Sequence, residues 1–230
     1  MPKDERERIP IIVDIPIKSE QNINYTMKKY TVEFIGTFFL LLAIVTSVAN
    51  AGALAPLAIG STLMVMIFAG GPISGGHFNP AVTLGVWIRG KCDTKDVPGY
   101  MIAQILGGAL AALVGNYILG SEGGSGMAVE TMPALLAEFV GTFALVYVVL
   151  NVATADRSAG NSYFGLAIGF TVAAMAFSLG SVSGGAFNPA VAIGGSIAGL
   201  LSWANLWIYL VASLAAGVAA ALTFKFVDAE

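Results

Sequence analysis

The stretch SGGHFNPAV at residues 74–82 returns as SGGAFNPAV at 183–191, with one change in nine positions and a separation of 109 between Asn79 and Asn188. A chain that repeats so irregular a loop folds as two related halves. The loop has its own physical reading. Asn caps helices well and Pro fits the first helical position, so Asn79-Pro80-Ala81 and Asn188-Pro189-Ala190 each start a helix. The apolar segments that follow, 79–89 and 188–198, hold only about ten residues. At 1.5 Å per residue they reach roughly 14 Å, half the thickness of a bilayer core. Before each Asn, Gly75-Gly76-His77 and Gly184-Gly185-Ala186 resist helix formation and predict exposed backbone carbonyls.

Composition places both loops in a membrane. The chain is 57% hydrophobic and 11% charged, against about 25% charged in a soluble domain. Six stretches, at 28–49, 53–71, 97–119, 132–153, 162–180 and 202–225, are long and apolar enough to cross. The expected class is therefore an all-α membrane protein with six transmembrane helices and two re-entrant half-helices. A net charge of −3 without a basic block gives no reason to expect nucleic acid. The single cysteine, Cys92, excludes an internal disulfide. Residues 1–27 are polar, carry Pro2, Pro10 and Pro16, and are expected to form a flexible tail ahead of a channel domain at 28–226.

Charge sets the orientation. With six crossings and both ends on one side, all eleven Lys and Arg residues fall on that side, and the opposite loops carry only Glu122 and Glu130. The positive-inside rule assigns both termini to the cytoplasm. The segment after Asn79 then ends on the cytoplasmic side at Arg89, so the segment after Asn188 enters from outside.

The duplication extends beyond the loops. VEFIGTFFLLL at 32–42 matches AEFVGTFALVY at 137–147, and MIAQILGGALAAL at 101–113 matches the small-residue run at 209–222. The halves, 28–119 and 132–226, hold three crossings each, and because three is odd the second half is inverted. Such a repeat builds a path around a pseudo-two-fold axis near the midplane. Two half-helix starts meeting there, each with about half a positive charge, oppose cations. Irregular backbone at that depth lines a cavity or is buried in protein. Glu33 and Glu138 are intramembrane acids, placed to accept hydrogen bonds from the unpaired N–H groups of the loop in their own half, with a proton relay as the alternative role.

Two Asn-Pro-Ala loops in an inverted repeat, each half opening with Glu-Phe-x-Gly-Thr, resemble the major intrinsic protein family of aquaporins and glycerol facilitators, over residues 28–226. The resemblance implies a homotetramer in the plasma (inner) membrane with one pore per subunit, lined by Asn79, Asn188 and the carbonyls of residues 75–77 and 184–186. It also implies a selectivity filter, counted from the two Asn residues, at Ile59, Ala176, Gly185 and Val191. Where the family usually carries Arg, this chain has Val191, and neither an aromatic nor a His narrows the ring. A one-residue slip in the fifth crossing would substitute Phe177 for Ala176.

The expected function is a passive channel for water and other small neutral solutes, with no cofactor and no metal. The alternative is a channel mainly for glycerol, urea or ammonia. A coupled transporter would need an ion site beyond the Glu33/Glu138 pair. An enzyme would need more than the single His77 and Cys92 to assemble a nucleophile or metal ligands.

Overall fold

A computed structural model describes residues 19–228. They form eight helices: α1 Ser19–Asn50, α2 Ala55–Ser74, α3 Pro80–Ile88, α4 Val97–Leu119, α5 Thr131–Ala153, α6 Phe164–Ser183, α7 Pro189–Ile197 and α8 Leu206–Val227. Six of them are long and apolar enough to span a bilayer, and α3 and α7 are the half-length pieces of nine residues each. Helices are the solution the sequence requires, since a spanning segment must satisfy its own backbone. Leu106, Leu136, Ile102 and Leu222 are more than half exposed, as lipid-facing side chains are.

Several boundaries differ from expectation: α6 runs to Ser183 rather than 180 and α8 starts at Leu206 rather than 202, and α1 and α2 differ as well. Helix α1 begins at Ser19, so nine residues assigned to the tail are helical, and residues 1–18 of that tail lie outside the described residues. Polar residues there hide the helix from a hydropathy reading, but helix propagates cheaply from a nucleated apolar segment. Lys29 then anchors this end through a 2.9 Å ion pair with Asp96. Helix α2 continues to Ser74 with Pro72 inside its last turn, a placement that membrane helices tolerate.

Charged groups define one face of the molecule. Asp228 pairs with both Arg89 at the end of α3 and Arg157 between α5 and α6, and Lys91 approaches Asp156. This is the face that carries the ends of the described chain.

The halves interlock rather than lie side by side. Helix α1 packs on α4 and α5 on α8, α2 crosses α6, and each half-helix also docks on the other half, α3 against α8 and α7 against α4. Glycine makes these approaches possible. A Cβ on Gly60 would lie 2.4 Å from the Gly169 carbonyl, and one on Gly169 would lie 2.4 Å from the Gly60 carbonyl. The pseudo-two-fold therefore runs through the α2–α6 crossing. Gly108 and Gly217 repeat the pattern, facing the carbonyls of Ala190 and Ala81 at 3.0 and 2.7 Å. Small residues at such contacts let helix backbones touch.

The Glu-Phe-x-Gly-Thr motif has a packing reason of the same kind. A Cβ on Gly36 would stand 2.1 Å from the Phe78 ring, and one on Gly141 would stand 2.2 Å from the Phe187 ring. Both rings are buried, so the glycines are the sockets that receive the loops. Gly36→Ala should overpack this socket and cost about 1–3 kcal/mol. A lowered thermal midpoint in detergent checks it; an unchanged midpoint would mean the Phe78 ring is not held there.

Candidate functional site

Each loop begins where a long helix stops. Gly75 and Gly184 end α2 and α6 at φ +91° and +92°, a left-handed conformation that suits glycine. Phe78 and Phe187 also sit at positive φ, +49° and +48°, which costs a non-glycine residue of order 1 kcal/mol. A carboxylate holds each strained loop. Glu33 Oε1 accepts from the Ser74 hydroxyl at 2.7 Å and the His77 N–H at 2.9 Å, and Oε2 accepts from the Phe78 N–H and Gln104 Nε2, both at 2.7 Å. Glu138 does the same for Ser183, Ala186 and Phe187, at 2.7, 2.9 and 2.6 Å. Both carboxylates are fully buried.

The asparagines close the ring. Asn79 Oδ1 caps α3 by accepting from the Ala81 N–H at 2.8 Å, and Asn188 Oδ1 caps α7 through Ala190 at 2.9 Å. That orients each amide NH2 toward the opposite loop. Asn79 Nδ2 donates to the Phe187 carbonyl at 2.9 Å, and Asn188 Nδ2 donates to the Phe78 carbonyl at 2.8 Å. An amide NH2 has two hydrogens, so each Asn keeps one donor for whatever occupies the space beside it. The strained Phe residues thus aim their carbonyls across the axis and tie the half-helices together, start against start.

That space is a cavity of about 380 Å³. It runs from Val48 and Ala55, on the face opposite the chain ends, past Ile59, Ala176, Gly185 and Val191 to Asn79, Asn188, His77 and Gly76. No charged side chain lines it. The four expected filter positions all lie on its wall, whereas Phe177 is 54% exposed on the outer surface. Of the six backbone positions expected along the pore, Gly76, His77, Gly184, Gly185 and Ala186 line the cavity, and Gly75 does not. Gly75 is exposed and lies off the cavity wall, although its N–H bonds the Gly71 carbonyl at 2.9 Å just as the cavity-lining Gly184 bonds Gly180 at 2.8 Å.

His77 has a defined tautomer. Thr83 Oγ1 donates to the Asn79 carbonyl at 3.1 Å, so it accepts from Gln104 Nε2 at 2.9 Å and from His77 Nδ1 at 3.1 Å. With Nδ1 protonated, Nε2 carries the free lone pair, an assignment that follows from the hydrogen-bond network. Among the described residues no group of three His, Cys, Asp or Glu could hold a metal. In the 89–96 connection, burial pushes the Cys92 thiol up to about 11, which keeps it protonated and unreactive.

Several supporting residues escaped the sequence reading. The hydroxyls of Tyr100 and Tyr209 donate to the carbonyls of Ser74 and Ser183, each at 2.6 Å. Both tyrosines and both serines repeat at the loop's own offset of 109, a signal that was present but has no meaning until the contact is known. The repeat is also asymmetric. Where the first half has Gln104 and Thr83, the second has Ser213 and Ala192, so Glu138 accepts three bonds and Glu33 four. Met127, from the connection between the halves, also lines the cavity, and no periodicity predicts it.

Comparison with known proteins agrees with this architecture. A family model described as Major intrinsic protein matches residues 19–224. Aquaporin AqpM of Methanothermobacter thermautotrophicus is 34% identical, over 88% of this chain and 98% of its own length. Glycerol uptake facilitator protein-like 6 of Lactiplantibacillus plantarum is 36% identical, over 89% and 100%. Among solved structures, the aquaglyceroporin from Plasmodium falciparum superposes with a TM-score of 0.74 at 21% identity, covering 88% of this chain and 96% of that one.

Proposed function

The chain belongs to the major intrinsic protein family, and from that premise we propose that the cavity beside Asn79 and Asn188 is the conduction path of a channel open to water and to small neutral solutes larger than water. The protein is a passive channel for water, small solutes or both. The choice of solutes rests on the filter. Ile59, Ala176, Gly185 and Val191 surround the path with two small residues, two aliphatic ones and no charge. A ring with two such small residues leaves a wide opening, through which a neutral solute larger than water can pass with part of its hydration shell in place.

The chemistry along the path fits water and simple amides or alcohols. Each Asn offers one amide hydrogen, and the backbone of residues 76–77 and 184–186 offers carbonyls. A molecule that both donates and accepts can exchange its hydration shell for these groups step by step. Cations meet the starts of α3 and α7 at the centre, with no carboxylate on the wall to offset them. We assign loop bracing to Glu33 and Glu138, and the exclusion of ions to the paired helix starts.

Assembly as a homotetramer, residence in the plasma (inner) membrane and cytoplasmic termini complete the proposal. Lys28, Lys29, Arg89, Lys91, Lys95, Arg157 and Lys225 lie toward the face of the chain ends, which supports that orientation.

Stopped-flow light scattering on proteoliposomes tests the reading. Water and at least one of glycerol, urea and ammonia should cross at rates that rise linearly with gradient. Saturable flux, or flux that requires a co-ion, would indicate a coupled transporter instead. Light-scattering mass in detergent should give four subunits.

A further inference from the structure

The connection 120–130, GSEGGSGMAVE, occurs once, between the halves, and so has no symmetry mate. It is pressed onto the outer end of α7. The Met127 N–H donates to the Leu200 carbonyl at 2.9 Å, and Met127 forms a parallel bridge with Leu201. A Cβ on Gly199 would lie 2.0 Å from the Gly124 nitrogen, and one on Gly126 would lie 2.2 Å from the Ser202 nitrogen. Backbone therefore rests directly on backbone, and only glycine permits this. From α4, Asn116 Nδ2 reaches the Ala198 carbonyl at 3.4 Å. The strap is pinned at Met127 and over the glycines just ahead of it, and its register decides which side chain enters the cavity.

That side chain is Met127. Its sulfur stands 3.8 Å from where a Cβ on Gly184 would be, next to the filter position Gly185, and it lines the same wall as Ala176 and Val191. We propose that Met127 is a specificity-determining residue of the outer constriction, an apolar fifth wall that partly fills the side of the ring left open by Ala176 and Gly185. The proposal rests on the reading of the cavity as the conduction path. A thioether is unbranched, has no donor and is a weak acceptor. It narrows the mouth without offering a hydrogen bond in return. That burdens a solute with several hydroxyl or amide groups, which must shed more hydration at this point, more than it burdens a single water molecule.

The strap is held by main-chain groups, so changing the Met127 side chain leaves its anchors in place. Proteoliposomes carrying the wild-type chain, Met127→Leu and Met127→Ala would be challenged with water, glycerol and urea. Met127→Ala should raise glycerol and urea permeability by about fivefold or more while water changes by less than about twofold, and Met127→Leu should keep the wild-type ratio. A second measurement uses Met127→Cys treated with a bulky methanethiosulfonate. Flux of all solutes should fall, while the wild type, whose Cys92 lies on the other face, stays unaffected. If the wild type conducts, but Met127→Ala keeps the wild-type ratio and the labelled Met127→Cys keeps its flux, Met127 does not line the constriction and the proposal is overturned alone. If the wild type passes none of the solutes, the conduction reading itself fails.

Discussion

Replacing Val191 with arginine is expected to reduce glycerol and urea permeability by on the order of tenfold, to reduce proton leak by at least as much, and to reduce water permeability by only about twofold. Val191 is 4% exposed, sits three residues past Asn188 and faces the cavity beside Gly185. An arginine there would fill volume that the small ring leaves free. Its guanidinium would add a fixed charge in a partly dry site, where it acts more strongly than in water. The loop carbonyls on the cavity wall supply acceptors for its donors, so the charge need not be stranded. Large solutes lose the space, hydronium meets a second barrier beyond the two helix starts, and water loses little because it exchanges hydrogen bonds with the new donors. Val191→Gln separates the effects: it should restrict solutes while leaving proton leak near the wild-type level. Both variants would be compared with wild type in proteoliposomes under solute gradients and a pH step. Equal solute and proton permeabilities in wild type and Val191→Arg would place Val191 outside the constriction.

Removing the carboxylate of Glu138 should be worse for the fold than for the pore. Glu138→Ala strands the N–H groups of Ala186 and Phe187 and the Ser183 hydroxyl in a buried site. Each orphaned donor costs about 1–3 kcal/mol, so the sum approaches the whole stability of many proteins, about 5–15 kcal/mol. The loop also holds Phe187 at φ +48°, and without the carboxylate only the Gly141 socket and the Tyr209 bond to the Ser183 carbonyl remain in its half to oppose relaxation of that strain. The yield of monodisperse protein from detergent should drop by more than about tenfold. Glu33→Ala should be at least as severe, since four donors converge on that carboxylate. Glu138→Gln, which turns one acceptor into a donor among donors, should lie between wild type and Ala. The reading would change if Glu138→Gln gave normal yield but lost flux only across a window of pH, because Glu138 would then be moving protons.

The sequence by itself determined the class, the number of crossings and the relation of the two halves. Six apolar runs leave the backbone no alternative to helix in a bilayer, and a loop duplicated across an odd number of crossings must be inverted. It also located the half-helix starts to within a residue, because Asn-Pro is a local signal whose cap geometry needs nothing distant: Asn79 and Asn188 cap α3 and α7 through their own Oδ1 atoms. Tertiary structure decided what the second polar atom of each Asn does. That Nδ2 reaches the Phe carbonyl of the opposite loop depends on a positive φ at Phe78 and Phe187 and on glycine sockets in α1 and α5, contacts 108 and 110 residues away in sequence. The reach of α1 back to Ser19 was hidden because its polar turns carry no apolar period, although Lys29 meets Asp96 only in the folded chain. Met127 marks the limit most clearly. It lies in a connection with no period and no repeat partner, and its place on the cavity wall follows from the way a glycine-rich strap lies against Gly199 and Leu200, a fit between two surfaces that neither segment encodes alone.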